Sequence, residues 1–261
     1  MKKTITLLTI LLTWMTASEA FSQGKALQYK DDTVKLKGYY VASAVKSDKK
    51  KVPGVIVIHA WMGITDHERS TAERLGKSGY NVLVADIYGE DVHPADAKEA
   101  GKQAGYYKSN YKIYQSRIRA AMEALEKQGT DPSNIVIMGY CFGGTGALEA
   151  ARAGFPLKGV VSFHGGLGKD TLRANLPIQT RVLVLHGADD PYVPEKDVKQ
   201  FQKEMRDGKA DWQMVFYANA VHAFTDPAAG TDNSKGTAYN KLADERSWKA
   251  MLAFLDEVIA K

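Results

Sequence analysis

Ile135-Val136-Ile137-Met138-Gly139-Tyr140-Cys141-Phe142-Gly143-Gly144 is the stretch that decides the fold. Four apolar residues without a polar break read as a strand buried on both faces. The segment from Ala147 to Ala151 that follows favours helix. Between them stands G-x-nucleophile-x-G, the sharp strand-to-helix turn that lifts a nucleophile above the edge of a parallel sheet. Glycines flank such a turn because it is too crowded for Cβ atoms, and the nucleophile itself is held in strained backbone geometry. Serine usually occupies the centre. Here it is the only cysteine of the chain.

Working outward, Val55-Ile56-Val57-Ile58, Val82-Leu83-Val84-Ala85, Val160-Val161-Ser162-Phe163 and the run from Arg181 to His186 repeat the pattern of a doubly covered strand. Asp66 to Ser78, Tyr111 to Gln128, Glu195 to Met205 and Gly236 to Ala260 read as helices, and Asp211 to Tyr217 as a strand of alternating character. Thr33 to Val45 suggests one or two antiparallel strands after a loose start at 21–30. Gly89 to Asn110 reads as a polar, Gly- and Tyr-rich insertion, and Asn219 to Lys235 as a loop. Tyr107, Tyr111 and Tyr114 fall at helical spacing, which suits a core face, while the cluster beginning at Tyr106 is also placed to line the mouth of a site. The alternation predicts an α/β chain with a mostly parallel, twisted sheet and helices on both faces, and function in such sheets gathers at the carboxyl ends of the strands.

The first twenty residues read as a cleaved export signal. Lys2 and Lys3 form a basic start, Ile5 to Met15 an apolar core, and Ser18-Glu19-Ala20 a small-residue cleavage site. That leaves 21–261 as one domain and predicts a periplasmic or secreted protein. The apolar stretch is too short and polar for a comfortable membrane span, so no stable membrane association is expected. Net charge is +5 and spread along the chain, and the short run Lys49-Lys50-Lys51 lacks interleaved aromatics, so no nucleic-acid partner is expected. One cysteine excludes an internal disulfide, and no H-E-x-x-H or Cys/His cluster has metal-ligand spacing.

A thiol nucleophile needs a base and a group that orients the base. In the α/β-hydrolase fold, which the elbow resembles, both follow the nucleophile in the order acid, histidine. His186-Gly187-Ala188-Asp189-Asp190-Pro191-Tyr192-Val193-Pro194 lies just past a buried strand. Its H-G-x-x-D-x-x-V-P register selects Asp190 as the acid and leaves Asp189 as a loop cap. His222, opening the loop after the last strand, is the base. The other histidines fit less well: His59 by chain order, His67 and His93 reading as solvated, and His164 and His186 ending strands near the site, where they pack or hydrogen-bond without being the base. An oxyanion hole needs two backbone N–H groups. Phe142, after the nucleophile, and Trp61, in His59-Ala60-Trp61-Met62-Gly63, supply them, and their side chains give the pocket apolar walls.

Together these segments resemble the dienelactone hydrolase family of α/β hydrolases, in the expected order from about residue 55 to the C-terminus. The G-Y-C-x-G-G elbow is the most specific match. The resemblance implies a Cys141–His222–Asp190 triad that hydrolyses a small-molecule ester or lactone through a thioester acyl-enzyme without a cofactor, in a monomer or small homo-oligomer. Two departures stand out. The family often carries a glutamate in the oxyanion segment that holds the resting thiol; this chain has Ala60. Either Cys141 then pairs directly with His222 and is more ionised at rest, or Glu68 or Glu90 reaches in from a loop. The family also places a carboxylate-gripping arginine four residues after the histidine, where this chain has Asp226. With His59, Ala60 and Asp226 lining the pocket, a neutral or cationic ester, lactone or thioester is expected. A broad carboxylesterase or acyl transferase on the same machinery remains open, as does a thiol-based binding or redox-sensing protein on a hydrolase scaffold.

Overall fold

The computed structural model describes residues 24–45 and 51–259. The proposed export signal, and Lys49 and Lys50 of the basic run, lie outside the described residues. In chain order the elements are β1 (Lys25–Asp31), β2 (Val34–Val41), β3 (Val52–Ile58), α1 (Asp66–Lys77), β4 (Asn81–Ala85), α2 (Ala97–Ser109), α3 (Tyr111–Glu126), β5 (Thr130–Tyr140), α4 (Phe142–Arg152), β6 (Gly159–Phe163), β7 (Arg181–Gly187), α5 (Glu195–Asp207), β8 (Trp212–Tyr217) and α6 (Lys241–Val258). They build an eight-stranded sheet ordered β1-β2-β4-β3-β5-β6-β7-β8. β1 pairs with β2, and β2 with β4, antiparallel; every pairing from β4 to β8 is parallel. None of the described helices is long and apolar enough to cross a membrane.

The uninterrupted apolar runs exist because side chains alternate across the sheet and both faces are covered. β3 sends Val55 and Val57 to the face roofed by Ala72 and Leu75 of α1 and Met251, Phe254 and Leu255 of α6. It sends Ile56 and Ile58 to the face roofed by Ile118 and Leu125 of α3, Leu148 of α4 and Phe201 of α5. Each such buried side chain contributes about 1.5–3 kcal/mol. Truncating Ile56, which is fully buried, to alanine costs about 2–5 kcal/mol.

Three regions depart from the sequence reading. Residues 25–31, read within a loose start, form β1: Leu27 and Tyr29 face inward, and the strand turns into β2 with Asp32 at φ 54°. The stretch 89–110, read as an insertion, contains α2, whose N-terminus is capped by Asp96 accepting from the Glu99 N–H at 2.9 Å. α6 begins at Lys241 and not Gly236. Gly236 closes a 3-10 turn at φ 75°, and Asn240 caps the helix by accepting from the Ala243 N–H at 3.1 Å.

The β6–β7 connection, residues 164–180, carries no helix. It is fastened to its neighbours by charge. Arg173 donates to both oxygens of Glu149 on α4 at 2.9 Å. Arg152 bridges Glu149, at 3.0 Å, and Glu204 of α5, at 2.8 Å, and Lys169 lies 3.2 Å from Glu204. The side chains of Arg152, Lys169, Glu149 and Glu204 are all buried, so loss of one partner strands an uncompensated charge.

Candidate active site

β5 runs into the elbow, and Cys141 takes φ 53°, ψ −111°, the strained backbone that the G-Y-C-F-G-G turn requires. A Cβ on Gly143 would collide with the main chain of Ile58 and His59, and one on Gly139 with Gly143 itself. Bare backbone at 139 and 143 thus lets the start of α4 sit directly on the end of β3. The nucleophile and the loop after β3 become neighbours for that reason.

Cys141 is half-buried, and of the side chains around it the His222 ring acts most strongly on the thiol. The Nδ1 of that ring donates to Asp190 Oδ2 at 2.8 Å, and the Asp190 side chain is fully buried. Asp190 is itself fixed by the Tyr192 N–H, which donates to Oδ1 at 2.9 Å. Burial alone would push the Cys141 thiol up. The hydrogen bond and charge of His222, with the Lys108 ammonium and the Phe142 N–H, outweigh it and hold the thiol below its ordinary value. Burial alone would push His222 down, but hydrogen bonds to Asp190 and Cys141 bring it up to about 10. Each shift favours the charged form of its group.

Neither candidate for a replacement carboxylate is placed to grip the sulfur. Glu68 is fully buried and engaged elsewhere: Oε1 accepts the Ala60 N–H at 3.0 Å, and Oε2 accepts Thr65 N–H at 2.9 Å and Thr65 Oγ1 at 2.6 Å, closing a capping box at the head of α1. Glu90 accepts from Gln28 at 2.9 Å.

Phe142 opens α4 with no side-chain cap above it, and its N–H faces the sulfur. Its buried ring stacks on Tyr114 at 4.6 Å, and Tyr114 Oη donates to Phe142 O at 2.9 Å. Tyr107 is buried behind them, Tyr111 lies under Arg173 at 3.6 Å, and Tyr106 is exposed. Trp61 is partly exposed at the mouth. Its carbonyl accepts from Tyr88 Oη at 2.9 Å, while its N–H has no protein acceptor among the described residues. His59 is buried, with Nδ1 2.6 Å from Ala60 O, and burial pushes its imidazole down.

Asp226 turns to its own loop. It caps the 3-10 turn Pro227–Ala229 by accepting the Ala228 N–H at 2.9 Å. After His222, the charge that acts on the sulfur is Lys108, an exposed residue in the last turn of α2 with no ion-pair partner among the described residues. Lys108 lines a cavity of about 500 Å³ with Thr145, Gly166, Lys169, Asp170 and Arg173. Nothing marked Lys108 in the sequence, because 97–109 was not read as a helix that turns its last residues toward the elbow. His164 was read as ending a strand near the site and packing or hydrogen-bonding there. It is buried at φ 40°, its ring 5.3 Å from that of His222 and its Nε2 2.9 Å from Thr225 Oγ1. Burial and the neighbouring His222 charge hold it well below its ordinary value, so it packs as a neutral ring. His67, read as solvated, is half-buried against Tyr140 at 4.4 Å.

The sequence model of the Dienelactone hydrolase family matches residues 39–259. A dienelactone hydrolase-like promiscuous phosphotriesterase from metagenomic libraries has a solved structure that is 38% identical, with a TM-score of 0.84 over 91% of this chain and 98% of that one. A probable 2-oxo-3-(5-oxofuran-2-ylidene)propanoate lactonase of Bradyrhizobium sp. is 28% identical over 78% of this chain and 84% of its own. An uncharacterized protein of Caenorhabditis elegans is 35% identical over 150 residues, 55% of this chain and 93% of its own.

Proposed function

We propose that this chain, which belongs to the dienelactone hydrolase family and hydrolyses ester or lactone bonds, does so with Cys141 as nucleophile, His222 as proton carrier and Asp190 as the anchor of the imidazole. The observation that carries this reading is the His222 ring held by the buried Asp190, with Oδ2 2.8 Å from Nδ1, while the same ring pulls the Cys141 thiol down. The thiolate attacks the carbonyl carbon and forms a C–S bond as the C=O electron pair moves to oxygen. The Phe142 and Trp61 N–H groups stabilise that oxyanion. As it collapses, the C–O bond to the leaving alcohol breaks and the alkoxide takes the His222 proton. The ring, now a base, removes a proton from water, hydroxide attacks the thioester, and the thiolate leaves. Asp190 holds the ring in one tautomer throughout.

The sulfur lacks a carboxylate partner, which supports an enzyme already ionised at rest. Iodoacetamide is expected to label Cys141 at neutral pH, between the depressed thiol value and the His222 value of about 10. Labelling only above about pH 8.5, as for a free thiol, contradicts the pair. A burst of p-nitrophenol from a short-chain ester, a thioester adduct on intact mass, and loss of both in Cys141→Ala test the mechanism. A wild type that turns over ester with no adduct removes it.

The charges favour a revised substrate. Asp226 is engaged in its own turn, and Lys108 adds to the positive charge of His222 at the sulfur, so neutral and anionic esters both fit better than cationic ones. A phosphotriester is a second substrate class. It is supported by the 38% identical relative that bears that activity in its name, and the same thiolate would attack phosphorus. Residues 1–20 support work outside the cytoplasm; a mature protein starting at Phe21 in the exported fraction is the check.

A further inference from the structure

We infer that His59 is a positioning residue that aims the Trp61 N–H into the active site. The inference rests on the reading of that N–H as an oxyanion donor. Burial removes the His59 side chain from solvent, so its two ring nitrogens must find partners inside the protein. The Ile87 N–H donates to Nε2 at 3.3 Å. That nitrogen is therefore an acceptor, the proton sits on Nδ1, and Nδ1 donates to Ala60 O at 2.6 Å. Gly63 N–H donates to the same carbonyl at 3.1 Å.

The peptide joining Ala60 to Trp61 is trans, and in a trans peptide the C=O and N–H point in opposite directions. Fixing the Ala60 carbonyl toward the imidazole thus fixes the Trp61 N–H away from it. The peptides on either side are fixed too. The Ala60 N–H is taken by Glu68 Oε1 at 3.0 Å, and the Trp61 carbonyl by Tyr88 Oη at 2.9 Å. The Ala60 carbonyl of the central peptide is held by two donors, and its Trp61 N–H has no protein partner among the described residues. The His59 ring also packs edge-on to Tyr88 at 4.6 Å and stacks on Phe142 at 5.7 Å. One imidazole therefore touches the residue of the second donor while orienting the first. A donor aimed in advance costs no reorganisation when negative charge develops on oxygen.

The two ring nitrogens can be tested separately. His59→Asn places an amide near the position of Nδ1 and keeps the donor to Ala60 O while giving up the Ile87 contact. His59→Gln places its amide near Nε2 and does the reverse. Each variant breaks one hydrogen bond, so their thermal stabilities should fall by similar amounts. Only His59→Gln is expected to lose kcat by about a hundredfold at little-changed KM. Its affinity for a trifluoromethyl ketone, which forms an oxyanion on the sulfur, should fall in proportion. Iodoacetamide alkylation of Cys141, which forms no oxyanion, should stay within about twofold of wild type. Equal loss of kcat in both variants, or alkylation falling in step with turnover, overturns the assignment. A wild type that forms no acyl adduct on Cys141 defeats the thiol mechanism itself, and that result is read before any variant is made.

Discussion

In the proposed mechanism the loop after β3 and the loop after β8 serve the same reaction from two sides, and they are held by opposite means. The first carries the Trp61 N–H and is fixed by a few buried side chains: Glu68 and Tyr88 make bonds that nothing else in the loop duplicates, and His59 shares the Ala60 carbonyl with the Gly63 N–H alone. The second carries His222 and is fixed mostly by its own main chain. His222 N–H donates to Gly236 O at 3.2 Å, Ala238 N–H to His222 O at 3.1 Å, and Asn240 N–H to Phe224 O at 3.0 Å. Two asparagines, Asn233 and Asn240, converge on Asn219 O at 3.0 and 2.9 Å, and Asp226 and Asp232 cap the two short turns. The contrast separates brittle from redundant support. A buried group with a unique partner is costly to lose, because the partner is left unsatisfied away from water. An exposed bond among many is replaced by water at little cost.

The largest effect should come from the one buried, singular support on the His222 side. Asp190→Asn keeps the shape but favours the wrong tautomer, and kcat should fall by about 10⁴. The same change removes the main hydrogen bond that raises His222, so the alkaline limb of Cys141 alkylation should move down from about 10. An unmoved limb would mean that Asp190 does not set the ring's charge. Next comes Glu68→Gln, which cannot accept the Ala60 and Thr65 donors on both terminal atoms. It should cost about 1–3 kcal/mol in urea unfolding and about tenfold or more in kcat. Lys108→Glu should change neither fold nor chemistry as deeply, since the residue is exposed. It should lower the ratio of kcat/KM for an anionic hemi-ester over its neutral analogue by about fivefold, and added salt should shrink the effect. A salt-independent ratio would take Lys108 out of substrate selection. Smallest is Asn233→Ala, expected to cost about 1 kcal/mol in stability and to leave kcat within about twofold. If it slows turnover as much as Glu68→Gln, the distinction between the two loops collapses.

The parallel core was legible because each central strand is an apolar run with no polar position, as at Val55–Ile58 and Ile135–Met138. The elbow was legible because its glycines answer a local backbone requirement that no distant residue can relieve. β1 was obscured for the opposite reason. It is an edge strand with lysines at 25 and 30, and its inward positions are only half-covered, so the alternation of Leu27 and Tyr29 is faint. α2 was hidden by Gly101 and Gly105, each worth about 1 kcal/mol against helix; burial of Ala100, Ala104 and Tyr107 overrides them. The Asp96–Glu99 pairing, in which Glu99 reaches back to the Ala95 N–H at 2.9 Å, was the available start signal. At the site, chain order named His222 and the H-G-x-x-D register named Asp190, and the fold brings those two side chains within 2.8 Å of each other. The role of Asp226 was not legible in this way: an aspartate directly before proline is suited to cap a short turn, and capping is what it does. Lys108 and the bonds of Glu68 lay beyond sequence reasoning, because they depend on where two separate helices point.

Because Gly143 rests against the carbonyl end of β3 with no side chain between them, the distance between that strand and the start of α4 is set by main chain touching main chain. Substitution has no handle on that gap, so natural variation or laboratory evolution cannot widen it gradually for a bulkier reaction centre. Selection among substrates must instead act at the rim, where Trp61, Met62, Tyr106 and Tyr192 already stand partly in solvent and tolerate exchange. Chemistry and preference thereby become separately inheritable, one frozen in the backbone and the other free to drift.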